Sequence, residues 1–417
     1  MGKRLSWAPR LVGILLVIFV GLSWVAPTAM ALTDEQRFIA EVWRIVDRSY
    51  VDGSFNHQNW WAIREKALKQ PLQTRDQAYA AVQQMLAPLD DPFTRLLKPE
   101  QYRSLQTSTS GELTGVGLQI ASDGDGRLRV IAPIAGSPAD RAGVKPADTI
   151  LKIDALSTEG LGLDEAAELM RGPIGSLVIL TVQRGDQRIQ EIAIKRDRIA
   201  LNPVVADLRT QPGPNGNSLK IGYLRLHQFN ANATTEVAKA IRQLEQQGAD
   251  SYILDLRNNP GGLLQAGIEI ARLWLDEGTI VYTVNRQGVV GSFEATGQAL
   301  TKAPLVALVN HGTASASEIL AGALKDNHRA TILGEKTFGK GLIQSLFDLP
   351  DGAGLAVTVA RYETPAHYDI NKLGISPDIP VALEEVEGAQ IATETDRQYW
   401  AAVQLLTTSN SMVAGAA

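Results

Sequence analysis

The sequence predicts a multidomain α/β protein, and three changes of pattern along its 417 residues predict it. Residues 33–108 repeat apolar side chains at helical spacing. Residues 111–197 break into short β-rich runs between Gly, Pro and Asp turns. From 198 to about 390, strand-like and helix-like runs alternate. A chain of this length outgrows one hydrophobic core, so two to three domains are expected.

Ahead of these regions, Lys3, Arg4 and Arg10 lead into the 15-residue apolar run "LVGILLVIFVGLSWV", then Pro27 and "AMA" at 29–31. This is the layout of a secretory signal peptide over residues 1–31, cleaved after about Ala31. The run is shorter than the about 20 residues that span a bilayer; the alternative is an uncleaved anchor. Cleavage removes three cations and no acid, taking the formal charge from −5 to −8. An acidic mature chain argues against nucleic acid or anionic lipid as the main partner. The chain has no cysteine, hence no disulfide or thiolate chemistry, which suits a periplasm or a related lumen. Its five histidines are scattered and form no H-E-x-x-H pair, so no metal and no cofactor are expected.

The helical region is assigned to 32–108. Thr33 and Gln36 form a capping box before the stripe Ile39, Val42, Trp43, Val46, Tyr50. Thr74 opens a second helix carrying Val82, Met85 and Leu86 and ending at Pro88, and "SLQTSTS" at 104–110 reads as a linker. The module at 111–197 holds one helix, at 164–171. In the region 198–390, "KIGYLRL", "SYILDLR" and "PLVALVN" read as strands. "TEVAKAIRQLEQQG" and "LLQAGIEIARLWLDEG" read as helices stopped by glycine. That βαβα rhythm implies a partly parallel sheet covered by helices. A tail, 391–417, carries one weak helix.

The chemistry collects around "HGTASASEILAG" at 311–322, where the strand "PLVALVN" turns into a helix from Ala316 to about Lys325. "SASE" is a capping box, and capping alone would explain Ser315 and Glu318. A turn of small residues also lets a serine stand clear at a helix N-terminus, with free N–H groups aimed at a developing oxyanion. Ser315 is placed best for this; Ser317 lies inside the first turn and Thr313 before it. No G-x-S-x-G elbow exists, and neither His311 nor His328 has an evident acidic orienter. A neutral lysine is the other base available to a serine. Lys340 in "FGKG" qualifies if burial lowers its pKa by about three units from about 10.4. "GEKTFGKG" also fits G-x-x-x-x-G-K of a phosphate loop. It lacks the Ser/Thr after the lysine, and "LIQSLFDLP" follows it as a strand rather than a helix.

The stretch "TASASEILAGALKDNHRATILGEKTFGKGLIQS" resembles the signature of the carboxyl-terminal processing (tail-specific) serine peptidases. So do "LDDPFTRLL", "GVGLQI", "SPADRAGV", "LDLRNNPGGLL", "VTVARYETP" and "GISPDI". The resemblance covers nearly all of the mature chain. It implies a PDZ domain at 111–197 and a mixed α/β peptidase core of the ClpP/crotonase type at 198–390. It further implies Ser315 as nucleophile, Lys340 as general base and Gln344 holding the lysine. A straight strand would separate Lys340 from Gln344 by about 13 Å, so Gly341 must break it. Gly261 and Gly262 of "NNPGG", with the Ala316 amide, would form the oxyanion hole. Asp326 matches a position the family marks; three helical turns from Ser315, roughly 16 Å, it reads as structural and paired with Arg329. Amides from Gly115, Val116, Gly117 and Leu118 would cradle a substrate carboxylate while its tail adds as a strand. Arg171 matches an arginine that couples PDZ position to catalysis in some relatives.

The implied partners are protein substrates with free apolar C-termini, membrane proteins among them, and no nucleic acid; nothing in the sequence sets an oligomeric state. "YETPAHYDINKLGISPD" resembles the cyanobacterial and chloroplast members, which mature the carboxyl terminus of a photosystem II reaction-centre precursor. With the signal peptide, this makes the periplasm or the thylakoid lumen the expected location. The alternatives are a general tail-specific quality-control protease and a catalytically inactive peptide-binding scaffold.

Overall fold

The computed structural model describes residues 32–123, 125–185, 188–212, 218–382 and 391–414. The expected signal peptide lies outside the described residues. The chain packs as two units, one reaching Arg48 and resuming over His57–Asp90, the other holding Ser49–Asn56 and everything from Asp91.

The smaller unit is helical. It comprises α1 (Asp34–Ser49), α2 (Trp60–Leu68) and α3 (Arg75–Leu86). The Thr33/Gln36 box closes in both directions, at 3.0 and 3.2 Å. Ile39, Val42 and Val46 are buried along α1, whereas Trp43 is half-buried and donates its indole N–H to the Trp60 carbonyl. Thr74 caps α3 with a second reciprocal box.

In the larger unit, β1 (Arg95–Leu97) leads into α4 (Pro99–Ser110). The supposed linker at 104–110 is thus the second half of a helix. Its hydroxyls bond back to carbonyls of the preceding turn, Thr109 Oγ1 to Leu105 O at 2.8 Å and Ser110 Oγ to Thr107 O at 3.1 Å. Polar composition suggested a loop, but such back-bonding keeps Ser and Thr compatible with a helix. Tyr102 anchors α4, its ring against Gly354 and its hydroxyl donating to Asp348 at 2.7 Å.

The β-rich module follows. It comprises β2 (Glu112–Gly115), β3 (Leu118–Ser122), β4 (Leu128–Pro133), α5 (Pro138–Arg141), β5 (Thr149–Ile153), β6 (Leu156–Ser157), α6 (Leu163–Met170), β7 (Leu177–Arg184), β8 (Arg188–Lys195) and β9 (Asp197–Ala200). Its main sheet runs β3-β4-β5-β7-β8 over a core that includes Val116, Ile150, Leu180 and Met170. The entering strand β2 pairs antiparallel with the leaving strand β9, so a two-stranded neck closes the module.

The remaining chain builds two sheets. β10 (Val204–Pro212), β11 (Ser218–Leu226), β12 (Ser251–Asp255), β15 (Leu305–Val309), β16 (Thr331–Gly334) and β19 (Ile379–Pro380) align in that order, all parallel except β10 on β11. Every residue of β12 and β15 is buried, as their apolar runs require. On one face lie α7 (Ala233–Gln246), α8 (Leu264–Trp274) and α9 (Ala316–Asp326). On the other, Tyr399, Ala402, Val403 and Leu406 of α10 (Arg397–Ala414) pack on Tyr223, Ile253 and Leu308. The tail helix expected to be weak is therefore a layer of the core. α8 stops at Trp274, four residues before the glycine expected to end it, with Leu275 turning extended.

A second, antiparallel sheet was not anticipated. It orders β1, β18 (Gly354–Glu363), β13 (Thr279–Asn285) and β14 (Gly288–Glu294), with β17 (Leu342–Asp348) also on β18. It brings residues from 91–97 and 340–363 to the N-terminus of α9.

Candidate active site

The turn between β15 and α9 sorts its hydroxyls by partner. Thr313 Oγ1 donates to Leu256 O at 2.9 Å and Ser317 Oγ to Asn259 O at 3.0 Å, so both tie the turn to the loop after β12. Ser315 holds φ 58° and ψ −120°, a conformation that glycine favours. Holding a serine there costs about 1–3 kcal/mol, which the surrounding bonds must offset. Only half of the expected capping box forms. Ser315 N–H donates to Glu318 Oε2 at 2.9 Å, while Glu318 N–H goes to the Ser315 carbonyl at 2.8 Å. The Ser315 hydroxyl is not spent on capping. It lies 3.0 Å from the Tyr362 hydroxyl on β18.

Glu318 is fully buried and gathers the site. Besides the Ser315 amide, its carboxylate accepts from Thr337 Oγ1 at 2.5 Å, Gly339 N at 2.7 Å and Lys340 N at 2.8 Å. One carboxylate thereby fixes the backbone of both Ser315 and Lys340, two elements far apart in sequence. Glu318→Gln puts an N–H₂ group where donors now converge. The expected loss of stability is about 3 kcal/mol, read from urea unfolding, with a parallel fall in any peptide cleavage.

Lys340 precedes β17 rather than lying on it. Between it and the strand, Gly341 packs so close to Asn371 that a Cβ would sit 2.4 Å from Asn371 N. The amine is half-buried, 4.8 Å from the centre of the Phe93 ring. Burial first, and then the charge of Arg95, push its pKa below the ordinary 10.5, against the opposing pull of Asp91 and Glu318. Ser315 and Lys340 share no hydrogen bond, so the amine rests on Phe93 rather than on the serine. Gln344 does not hold the lysine here: a bulge follows Ile343, and Gln344 Nε2 faces Thr358 Oγ1 at 3.5 Å.

The loop after β12 lies against the turn, with Ala314 N–H donating to Asn259 O at 3.0 Å. Gly261, at φ 94°, packs so close that a Cβ would meet Ala314 O at 2.6 Å and Ser315 Cβ at 2.8 Å. Its amide is already committed to Asn259 Oδ1 at 2.9 Å, which removes Gly261 from the expected donors. The N–H groups of Gly262 and Ala316 have no protein acceptor among the described residues. Behind the loop, buried Arg257 bonds Asp255 at 2.6 Å and Asp396, from the tail, at 2.8 Å.

Other expected residues fall elsewhere. Asp326 accepts from Ala366 N at 3.0 Å and does not pair with Arg329, which donates to the Trp274 and Thr301 carbonyls. In the β-rich module, the amides of Val116 and Gly117 are without protein acceptors among the described residues, while Arg171 pairs with Glu168 on the surface. His311 does have an acid nearby, Glu335 at 3.8 Å, but is itself exposed. Among the described residues no three His, Asp or Glu side chains are placed to hold a metal ion.

A mixed α/β core with a strained serine at a helix N-terminus, a half-buried lysine whose backbone bonds the same carboxylate, and a separate β module defines a class of peptidase. The chain belongs to peptidase family S41, whose profile matches residues 220–381, and a PDZ-domain profile matches residues 129–184. It is 61% identical over 395 residues to the carboxyl-terminal-processing protease of Picosynechococcus sp., covering 94% of both chains. It is 48% identical over 381 residues to the chloroplastic carboxyl-terminal-processing peptidase 2 of Arabidopsis thaliana, covering 89% of this chain and 74% of that one. The solved photosystem II D1 C-terminal processing protease aligns at 43% identity with a TM-score of 0.56, over 84% of this chain and 94% of that one. The protein is thus a carboxyl-terminal-processing peptidase carrying a PDZ domain.

Sequence reasoning missed Phe93, Tyr362, Arg257 and Asp396. Phe93 and Tyr362 reach it through the second sheet, just ahead of β1 and on β18, and Asp396 just ahead of α10; Arg257 follows β12 directly, and only its pairing with Asp396 is non-local.

Proposed function

We propose that this enzyme cleaves near the C-termini of protein substrates through Ser315 as nucleophile and Lys340 as general base. The observation that carries the reading is Glu318, whose single carboxylate holds the Ser315 amide and the Lys340 amide together beside an amine of lowered pKa. In the reaction the neutral amine leaves Phe93, takes the Ser315 proton, and Oγ attacks the scissile carbonyl. The oxyanion meets the Gly262 and Ala316 amides. The tetrahedral adduct then collapses, the leaving amine takes the proton back from Lys340, and water later hydrolyses the acyl-enzyme by the same base.

The free Val116 and Gly117 amides support capture of a substrate carboxylate, with the apolar tail added along β3. The family likeness supports an exported enzyme, lumenal or periplasmic, that matures the C-terminus of a photosystem II reaction-centre precursor. A general quality-control role would differ in substrate, not in chemistry. The chain lacking residues 1–31 is mixed with a peptide bearing an apolar free C-terminus. Cleavage that vanishes in Ser315→Ala and in Lys340→Ala is expected; binding without cleavage would instead favour a scaffold. Identifying the proteins whose C-termini lengthen when the enzyme is absent then names the substrate.

A further inference from the structure

Tyr362 sits on β18 with 2% of its surface exposed, and its hydroxyl lies 3.0 Å from Ser315 Oγ. Among the described residues that hydroxyl has no other hydrogen-bond partner, and neither does the Ser315 hydroxyl. Two hydroxyls share one contact, so one of them donates and the other keeps its proton for something else.

Burial decides between them. The phenol is enclosed on every side, and its proton has Ser315 Oγ as acceptor or none at all. A buried donor left unmade is costly, whereas a hydroxyl oxygen with a spare lone pair is not. Burial, aided by the charge of Glu318, also keeps the phenol protonated well above its usual range, against the opposing pull of the Ser315 bond. Ser315 is only partly buried, so its own proton has other directions open to it.

We infer that Tyr362 is a further catalytic residue: it donates its phenolic hydrogen bond to Ser315 Oγ and so aims the serine's own proton toward Lys340. The inference rests on the reading of Ser315 as nucleophile and Lys340 as base. In the step concerned the Ser315 O–H bond breaks, its proton passes to the neutral amine to give an ammonium, and Oγ bonds to the substrate carbonyl carbon. The carbonyl π pair moves to oxygen. Tyr362 keeps its proton throughout; it sets direction and transfers nothing. Without it the hydroxyl rotates and presents its proton to the amine only part of the time.

The test compares Tyr362→Phe with the wild type on a peptide bearing an apolar free C-terminus, with Ser315→Ala and Lys340→Ala alongside. Loss of one neutral hydrogen bond at the reacting atom predicts a roughly tenfold fall in kcat with KM nearly unchanged. The acidic limb of the pH profile, set by Lys340, stays in place. An unchanged kcat overturns the inference, and a raised kcat does so too, because the phenol would then be restraining the serine. Site-specific 3,5-difluorotyrosine at 362 keeps the ring and hydroxyl but gives up its proton at lower pH. It is expected to add an alkaline fall in kcat that the wild type lacks, and the absence of that fall contradicts the inference even if the phenylalanine variant does not fold. Cleavage surviving in Ser315→Ala would remove the underlying reading as well; cleavage lost there but normal in Tyr362→Phe removes this inference alone.

Discussion

Lys340→Met is expected to slow peptide cleavage by at least about 10³-fold while leaving the protein folded. Methionine is close to the lysine stem in length and deletes only the amine, which lies over Phe93. That amine is held half-buried against its preference for water, so the variant should be at least as stable as the wild type in thermal unfolding. Lys340→Arg should be as inactive, because a guanidinium does not deprotonate at any working pH. In the wild type the sign of the pH effect follows from the lowered pKa. The unfolded chain binds this proton up to about 10.4 and the folded chain releases it sooner, so stability rises with pH between the two values. Activity rises through the lower of them, as the neutral base appears. A cleavage rate independent of the residue at 340 would remove the lysine from the mechanism.

Arg257→Met is expected to destabilise the protein by about 3–5 kcal/mol, measured by urea unfolding, and to abolish cleavage. Asp255 and Asp396 are both fully buried, and Arg257 is their shared counter-ion. Removing it leaves two buried carboxylates without the guanidinium that bonds them both. Tyr223, which donates to Asp255 at 2.8 Å, and the Ala392 and Tyr399 amides on Asp396 do not replace a charge. The damage reaches the site because the next residues, Asn258 and Asn259, bond Asn310 and the Ala314 and Ser317 groups that hold the Ser315 turn. The same cluster predicts acid sensitivity. Burial pushes the Asp396 carboxyl up, but the hydrogen bonds and charge of Arg257, with those two amides, outweigh it and hold it below 3.8. Its contribution is present above the unfolded value and is lost as pH falls through the folded one.

What the sequence disclosed was local. Ser315 could be picked out because strand, small-residue turn and helix follow one another directly, and Lys340 because two glycines flank it before a strand. The parallel sheet was readable from β12 and β15, whose apolar runs admit no solvent face. Pairings between distant segments were not readable. Nothing in "RYETP" marks Tyr362 as a neighbour of Ser315, since β18 reaches it only through the antiparallel sheet. Asp396 lies 139 residues from Arg257, in a tail whose composition suggested a weak helix. Local reading also misjudged where short polar side chains spend their hydrogen bonds. The hydroxyls of 104–110 fold back onto a helix, Asn259 takes the Gly261 amide, and Gln344 turns to Thr358 instead of Lys340.

Catalysis by Ser315 and Lys340 depends on an uncharged amine existing at position 340 under working conditions. Nitrogen NMR of the lysine side chains, assigned by Lys340→Arg, reads that group's titration directly in the folded enzyme. A midpoint below the ordinary 10.5, coinciding with the rise of kcat, is the expected result. A midpoint at or above that value, with cleavage already maximal at lower pH, would contradict it.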